Sequence, residues 1–486
     1  MIRAELEKLA RHSAIYGVAD VVPYLINFLL LPVFTAFLSP ADYGALGILL
    51  LFGVLAKIFF RSGLDAAFFR IYYEQKTDAS RRLLATTLFG AALAISTTLF
   101  VSCVFLAPRI GSFLLGEEFP LRNISTWVIL VALDTLLNSF GFVPMNLFRI
   151  RGKSKSFTTM TLFRSGINIA LKLAFIVSGW GVAGVLWADV IASMLFVAAL
   201  TPTLVGNLTF GFSWPMLRGA LHFGIPKVPH GLAHQVLNLS DRKLIEVFLG
   251  LSATGLYHIG YMMGTGVKFF LSAFELAWAP FVYAQADGKK TASAQLTLAR
   301  MATYGFAVLA GCGVLNAVFG RELLFLMAEA EFHPAHRVIP VIVLAYMMQG
   351  LFALTSIGIG ISKKTTYFPV ITISAAVANV ILNILWIPRY GMVGAAWATV
   401  VGYGVMAVLG YWFGNRHYPI PFEWGRISRI AIAGVLAFFV STLAPVEWIQ
   451  AVPIKLGASL LFPAALYAFG FFRKDELKWL GDRLGG

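Results

Sequence analysis

Fifteen charged side chains fall inside stretches apolar enough to cross a bilayer, and these are the residues with chemistry to perform. Eight are basic (Lys57, Arg61, Arg164, Lys172, Lys227, Arg242, Lys243 and Lys268) and seven acidic (Asp20, Asp65, Asp134, Asp189, Asp241, Glu246 and Glu275). A lipid-facing charge near the bilayer centre costs about 2.5–3.5 kcal/mol on insertion scales, so most of them must face a protein interior or a watery cavity. Lys57 lies 14 residues beyond Tyr43. At a rise of 1.5 Å per residue that is about 21 Å along a helix, well inside a hydrocarbon core about 30 Å thick. An ammonium held there is suited to an anion.

The plain alternative is mutual salt bridging. Arg61 with Asp65 and Arg242 with Glu246 are spaced i,i+4 on one helix face, and a local bridge is expected for both. Lys227 and Lys243 are expected to snorkel near a span end. Lys57, Arg164, Lys172 and Lys268 have no acid three or four residues away. Arg164, Asn168 and Lys172 follow one another at intervals of four, which makes a polar stripe down one helix face. These bases, with Arg61 beside them, are the candidate anion ligands. Asp20, Asp134, Asp189 and Asp241 are candidates for carrying a proton or holding sodium, with salt bridging the competing role.

The elements that must position these groups are helices. Of 486 residues, 59% are hydrophobic and 13% charged, about half the charged share of a soluble protein, and the mean hydropathy is +0.79. The expected fold is all-α and polytopic. Windows of about 19 residues give fourteen expected spans: 13–38, 43–69, 83–107, 125–147, 157–178, 181–203, 222–249, 253–283, 299–319, 338–361, 366–388, 391–413, 429–445 and 456–472. Connections are short, so no extramembrane domain is expected to carry separate catalysis. Placing the N-terminus in the cytoplasm puts 24 Lys and Arg in inner segments and 6 in outer loops. By the positive-inside rule both termini are then cytoplasmic. The formal +15 charge therefore reads as a topology signal with some attraction to anionic lipid, not a nucleic-acid footprint.

Other features are bland. Cys103 and Cys312 sit in apolar runs, with no zinc or disulfide spacing. The N-terminus has no signal-peptide pattern, and Arg3, Lys8 and Arg11 are expected on a short interfacial helix. The tetrapeptide Lys474 to Leu477 is followed by nine residues, so it cannot act as a C-terminal address. No GxxxxGK[ST] run occurs, so nucleotide use is not expected.

The chain repeats. A shift of 211 residues aligns FLSPADYGALGILLLFGVLAK (37–57) with FLGLSATGLYHIGYMMGTGVK (248–268), pairing Gly44 with Gly255, Gly53 with Gly264 and Lys57 with Lys268. A shift of 210 aligns GVAGVLWADV (181–190) with GMVGAAWATV (391–400), and with one gap between the two blocks Asn168 pairs with Asn379 at a shift of 211. Six spans per repeat is an even number, so the halves share one orientation. The expected organisation is an N-lobe over 1–207, a C-lobe over 208–422, and two extra spans with a tail over 423–486. Lys57 and Lys268 are expected to face each other across the lobe interface, where transporters of this build hold substrate.

Residues 28–47, FLLLPVFTAFLSPADYGALG, resemble the opening signature of polysaccharide flippases of the Wzx/PST kind. Residues 223–264, with the Asn-x-Ser-Asp-Arg piece at Asn238 to Arg242, resemble that family's seventh and eighth helices. The resemblance covers essentially the whole chain and extends to the superfamily of drug/cation antiporters and lipid II flippases. It implies a pair of six-helix bundles that turns a polyprenyl-diphosphate-linked oligosaccharide from the cytoplasmic to the outer leaflet by alternating access. It implies a monomer in a bacterial or archaeal cytoplasmic membrane, serving O-antigen, capsule or exopolysaccharide synthesis beside a polysaccharide polymerase. It also implies that Lys57 and Lys268, on the second and eighth helices, face the central cavity.

A diphosphate is a dense anion that a desolvated ammonium binds well as a point charge. Tyr24, Asn27, Asn138, His258 and Tyr261 are candidate glycan contacts, with interhelical packing the plainer role for each. Pro23, Pro32, Pro226 and Pro229 are expected to kink the first helix of each lobe. No cofactor is expected beyond a coupling ion. The first alternative is a cation-coupled drug antiporter, whose cavity should be net acidic. The second is a membrane-embedded glycan polymerase or transferase, which would need larger outer loops. Glu331, His333 and His336 could be read as metal ligands, but a solvated, proline-capped turn is the expectation.

Overall fold

A computed structural model of the protein describes residues 22, 25, 26, 28–116, 118–286, 292–445 and 448–473. Asp20, Pro23, Tyr24, Asn27 and much of the first half of the first expected span lie outside the described residues, as does the N-terminal interfacial segment. The described elements are helical, in two compact units, Met1–His258 and Ile259–Gly486. Ten helices among the described residues are long and apolar enough to cross a membrane, and the chain is a multi-pass membrane protein.

In the first unit, α1 (Leu31–Phe37) leads into α2 (Pro40–Arg61), whose start is fixed by a capping box. Ser39 Oγ accepts from the Asp42 amide at 3.2 Å, and Asp42 accepts from the Ser39 amide at 3.0 Å. The second expected span then breaks at Ser62 and Gly63, both left-handed, before α3 (Leu64–Glu74). There follow α4 (Asp78–Leu115), α5 (Leu121–Phe140), α6 (Phe142–Ile150), α7 (Ser154–Val177), α8 (Gly181–Val205), α9 (Trp214–Gly224) and α10 (Val228–Gly264). Pro226 falls in a single 3-10 turn, Ile225–Lys227, that separates α9 from α10. The seventh expected span is therefore broken there, as its prolines suggested. Pro32, by contrast, only opens α1.

α10 carries two limbs, divided at Gly250 (φ 85°). The second limb runs on into the unit that holds α11 (Val267–Ala286), α12 (Ala292–Met327), α13 (Ile339–Thr355), α14 (Ile357–Ile361), α15 (Tyr367–His417), α16 (Trp424–Ser441) and α17 (Trp448–Ala468). α15 holds the eleventh and twelfth expected spans, separated at Gly391 (φ 62°). The eighth expected span is split between the second limb of α10 and α11. The second repeat block is visible here as geometry. Gly181 and Gly391, equivalent under the 210-residue shift, are both left-handed, at φ 54° and 62°.

Two apolar clusters hold the first unit. One gathers Ile48, Leu49, Ile124, Val128, Val182, Val190 and Leu251. The other gathers Leu64, Phe68, Leu84, Leu88, Phe142, Val143 and Leu217. On α2 and α5 the polar residues of the cavities fall between the two. Lys57 and Arg61 lie between Leu49 and Leu64, and Asp134 and Asn138 lie between Val128 and Phe142. Packed layers at both ends thus leave a polar middle.

Candidate functional site

The polar middle of the first unit holds two cavities, of about 590 and 350 Å3, which meet at Lys57, Asn138, Arg164 and Asp189. α2 supplies Lys57 and Arg61, and α3 supplies Asp65. α5 supplies Asp134 and Asn138, α7 the Arg164, Asn168, Lys172 stripe, and α8 Asp189. The sequence spread these over four expected spans, with pairing across helices left open, and the structure brings them together.

The stripe on α7 meets acids on α5 and α8. Arg164 Nη2 lies 3.5 Å from Asp134 Oδ1, and Lys172 Nζ 2.9 Å from Asp189 Oδ1. Asn168 Nδ2 donates to Asp189 Oδ1 at 2.7 Å. Ser193 joins the first pair, accepting from Arg164 at 2.9 Å and donating to Asp134. Arg164 and Lys172 thus have no acid on their own helix but are paired across helices, the alternative left open by sequence.

On α2 and α3, Arg61 binds Asp65 at 2.8 Å, the local bridge its spacing predicts, and also donates to the Asn138 carbonyl at 3.3 Å. Asn146 donates to the other Asp65 oxygen at 3.3 Å, and Asn138 to Asp134 at 3.0 Å. Every acid in the cavities is therefore engaged. Lys57 makes no ion pair or side-chain hydrogen bond among the described residues. It lines both cavities.

The balance of charge follows. Lys57, Arg61, Arg149, Arg164 and Lys172 line the two cavities against Asp65, Asp134 and Asp189. Pairing the acids leaves two cations in excess, and Lys57 and Arg149 are the two without a carboxylate. Arg149 stacks over Phe157, 4.5 Å from the ring centroid. Sequence reading assigned Arg149 to an inner loop. The expected span ended at residue 147, whereas α6 continues to Ile150 and carries Arg149 to the cavity wall. Such a site can hold an anion, with Asn138, Asn146 and Asn168 as neutral hydrogen-bonding neighbours.

Other expected residues lie elsewhere. Asp241 is 1% exposed, in neither cavity. It pairs with Arg242 at 3.2 Å and accepts from Tyr257 Oη at 2.5 Å. Arg242 does not bridge to Glu246 as its spacing predicts. Glu246 pairs with Lys243, which also donates to the Leu114 carbonyl at 3.2 Å. The neighbouring Asp241 and the ring of His258, an acceptor for Arg242 Nε at 3.2 Å, take the guanidinium instead. His258 also forms part of the wall of the smaller cavity. Lys227 lies over the Phe223 ring at 4.1 Å.

Lys268 is in the second unit, exposed at the start of α11, where its amide donates to Thr265. Tyr261, also in that unit, is buried against Tyr346, with which it shares a 3.3 Å hydrogen bond. His333 stacks on Phe325 at 3.9 Å and bonds the Ala328 carbonyl.

A family of proteins described as polysaccharide biosynthesis proteins matches residues 33–306. Among curated proteins, Agl15 of Haloferax volcanii, a probable low-salt glycan biosynthesis flippase, is 24% identical over 206 residues, 41% of this chain and 43% of that protein. An uncharacterized membrane protein of Methanocaldococcus jannaschii is 23% identical over 234 residues, 46% of this chain and 45% of that protein. The chain spans less than half the length of these curated relatives. Among solved structures, the lipid II flippase MurJ in an inward closed conformation superposes with a TM-score of 0.69 at 14% identity, over 94% of this chain and 99% of MurJ. An inward-facing multidrug resistance transporter of the MATE family, in the MOP superfamily, gives 0.65 at 16% identity, over 81% of this chain and 93% of that one. At these identities the likeness is one of fold. With the match extending over more than half of its length, and on a fold shared with MurJ and the MATE transporters, the chain belongs to the polysaccharide biosynthesis protein family.

Proposed function

We propose that the protein is a flippase for a lipid-linked glycan, moving a polyprenyl-diphosphate-linked oligosaccharide from the cytoplasmic to the outer leaflet by alternating access. The observation that carries this reading is the cation excess around Lys57. A base without a carboxylate stands in a cavity where every acid is already engaged. A diphosphate supplies the missing charge. In a low-dielectric cavity the attraction is far stronger than in water.

Lys57 is assigned to the diphosphate, with Lys268 as its repeat-related counterpart in the second unit. Arg61, Arg164 and Lys172 contribute positive field while fixing the acids. Asp134 and Asp189, each joined to a base in the cavity, are the acids assigned to coupling with a proton or sodium gradient. The protein would work as a monomeric carrier, not an enzyme. We place it in the cytoplasmic membrane of a bacterium or archaeon with both termini inside, serving surface-polysaccharide synthesis of the O-antigen, capsule or exopolysaccharide kind beside a polymerase. A drug-cation antiporter would need unpaired acid in the cavity, and among the lining residues the bases outnumber the acids.

The test is transport in proteoliposomes loaded with a polyprenyl-diphosphate oligosaccharide carrying a fluorescent sugar, read by quencher access from outside. Wild type should move the label, and Lys57→Ala and Lys268→Ala should each lose most of that activity at equal protein incorporation. Movement undiminished in the Lys57→Ala, Lys268→Ala double variant would overturn the paired assignment. No movement by wild type would overturn the substrate class.

A further inference from the structure

A third cavity, of about 590 Å3, shares no residue with the two at Lys57. It is built where four helix ends meet, at the end of α3, the start of α4, the end of α6 and the turn after α8. All of these are segments that the Lys and Arg distribution assigns to the cytoplasmic side. Its charged lining is Arg81, Arg82 and Arg151 against the single acid Asp78.

Two of the arginines are held from behind by neutral groups. The Arg81 guanidinium lies 5.2 Å from the centre of the Tyr72 ring, and its Nε donates to the Gln75 carbonyl at 3.2 Å. Arg151 donates to Asn207 Oδ1 at 2.6 Å. Arg82 is exposed and has no side-chain partner among the described residues. The one carboxylate, Asp78, touches Arg81 at 3.3 Å with its own side chain 90% exposed, so water screens that pair. Three guanidinium groups thus line one concavity, those of Arg81 and Arg151 held in place, with their charge largely uncompensated. Planar, pre-positioned forks of this kind suit the oxygens of a phosphate. Basic pockets between helix ends on the cytoplasmic side are where membrane proteins take phospholipid headgroups.

We propose that this cavity binds a phosphate group, supplied by the headgroup of an anionic phospholipid in the adjoining leaflet or by a soluble phosphorylated solute. The site is independent of the transport reading, since it shares no residue with the Lys57 cavities.

The experiment uses the full chain in detergent. Native mass spectrometry counts retained phosphatidylglycerol against phosphatidylcholine of the same chains, and melting is followed with inorganic phosphate against chloride at equal ionic strength. The variants are Arg82→Gln, Arg82→Glu and Arg151→Gln. Arg218→Gln, an exposed arginine of α9 outside the cavity, is the control that removes the same charge elsewhere. The expected result is retention of phosphatidylglycerol about threefold above phosphatidylcholine in wild type and the control, falling to parity in the cavity variants. A phosphate-dependent rise in Tm that is lost in Arg82→Gln, with no preference between the lipids, would support the same site with a soluble source. The proposal is overturned if neither probe separates Arg82→Glu from wild type. It is equally overturned if Arg218→Gln lowers retention as much as Arg82→Gln, because binding is then general attraction to a basic face.

Discussion

A Cβ on Gly44 would stand 2.0 Å from the carbonyl oxygen of Leu251, and a Cβ on Gly255 would stand 1.8 Å from the carbonyl oxygen of Pro40. The 211-residue repeat makes Gly44 equivalent to Gly255 and Pro40 equivalent to Leu251. The contact is therefore reciprocal, each copy presenting its glycine to the other's backbone, as at a two-fold contact. Both sides lie within the first compact unit. Glu118 strengthens the junction by accepting from the Leu251 amide at 3.1 Å, just after the break at Gly250.

Alanine at either glycine should destabilise the fold. The facing atoms are backbone oxygens, which cannot swing aside as a flexible side chain can. Overpacking of this kind costs about 1–3 kcal/mol. Gly90→Ala is the matched control, since its added methyl meets nothing within 4 Å, and in a helix it should gain about 0.5–1 kcal/mol. Melting of the three variants in one detergent checks this. If Gly44→Ala melts with wild type, the two backbones do not approach as the structure has them.

Lys57 separates function from stability. With no ion pair among the described residues, its loss leaves no carboxylate stranded, so Lys57→Gln should keep the wild-type stability within about 0.5 kcal/mol, as for substitutions outside packed or networked positions. Transport should fall at least tenfold, about 1.4 kcal/mol or more of lost substrate interaction. Lys57→Arg should restore part of it by returning the charge with a different shape. A Lys57→Gln protein that transports normally would show that the cation excess does not act on substrate.

The membrane class, most of the helix positions and the repeat were legible in the chain because each is written in local composition and spacing. Arg61 with Asp65 was legible as a pair close in sequence, and it forms across the left-handed break at Ser62 and Gly63 rather than along one helix. The cross-helix pairs were not. Arg164 finds Asp134 thirty residues back and Lys172 finds Asp189 on the next helix, and helix rotation about its axis sets such pairs, not sequence separation. The error at Arg242 has a related cause. The i,i+4 rule assumes a regular helix with free rotamers, whereas Glu246 is taken by Lys243 and the second limb of α10 brings Tyr257 and His258 onto Asp241 and Arg242. The repeat also hid an asymmetry. Under the 211-residue shift Arg164, Asn168 and Lys172 correspond to Ala375, Asn379 and Asn383. The asparagines there are buried, with Asn383 donating to Asn379 at 3.0 Å. The duplicated stripe is charged in only one copy.

Lys172 and Asp189 should behave as a coupled pair. Their side chains are 18% and 31% exposed, so removing one leaves the other partly desolvated and uncompensated. Asp189→Asn should lower stability by about 1–3 kcal/mol, the range for an interacting pair, and Lys172→Met by a similar amount. The double variant should lose less than the sum, because no lone charge remains. A double-mutant cycle on denaturation in mild detergent gives the coupling directly. Strict additivity would mean that the two side chains do not pair in the membrane.

Asp241 with Arg242 presents the opposite case to Lys57. The pair is enclosed, at 1% and 3% exposure, and Tyr257 and His258 close over it from the far side of the Gly250 break. Asp241→Ala should cost about 3–5 kcal/mol, since it abandons a buried guanidinium. Tyr257→Phe removes one hydrogen bond to a charged group and should cost about 1.5–3 kcal/mol. Replacing both charges, as in Asp241→Leu with Arg242→Met, should recover much of the loss, because well-packed apolar groups of similar size can replace a buried ion pair. The readout is the folded fraction by size-exclusion together with Tm. Specific transport per folded molecule should remain near wild type in the double variant if the pair serves to join the two limbs of α10. A stable double variant that no longer transports would instead assign Asp241 to ion coupling.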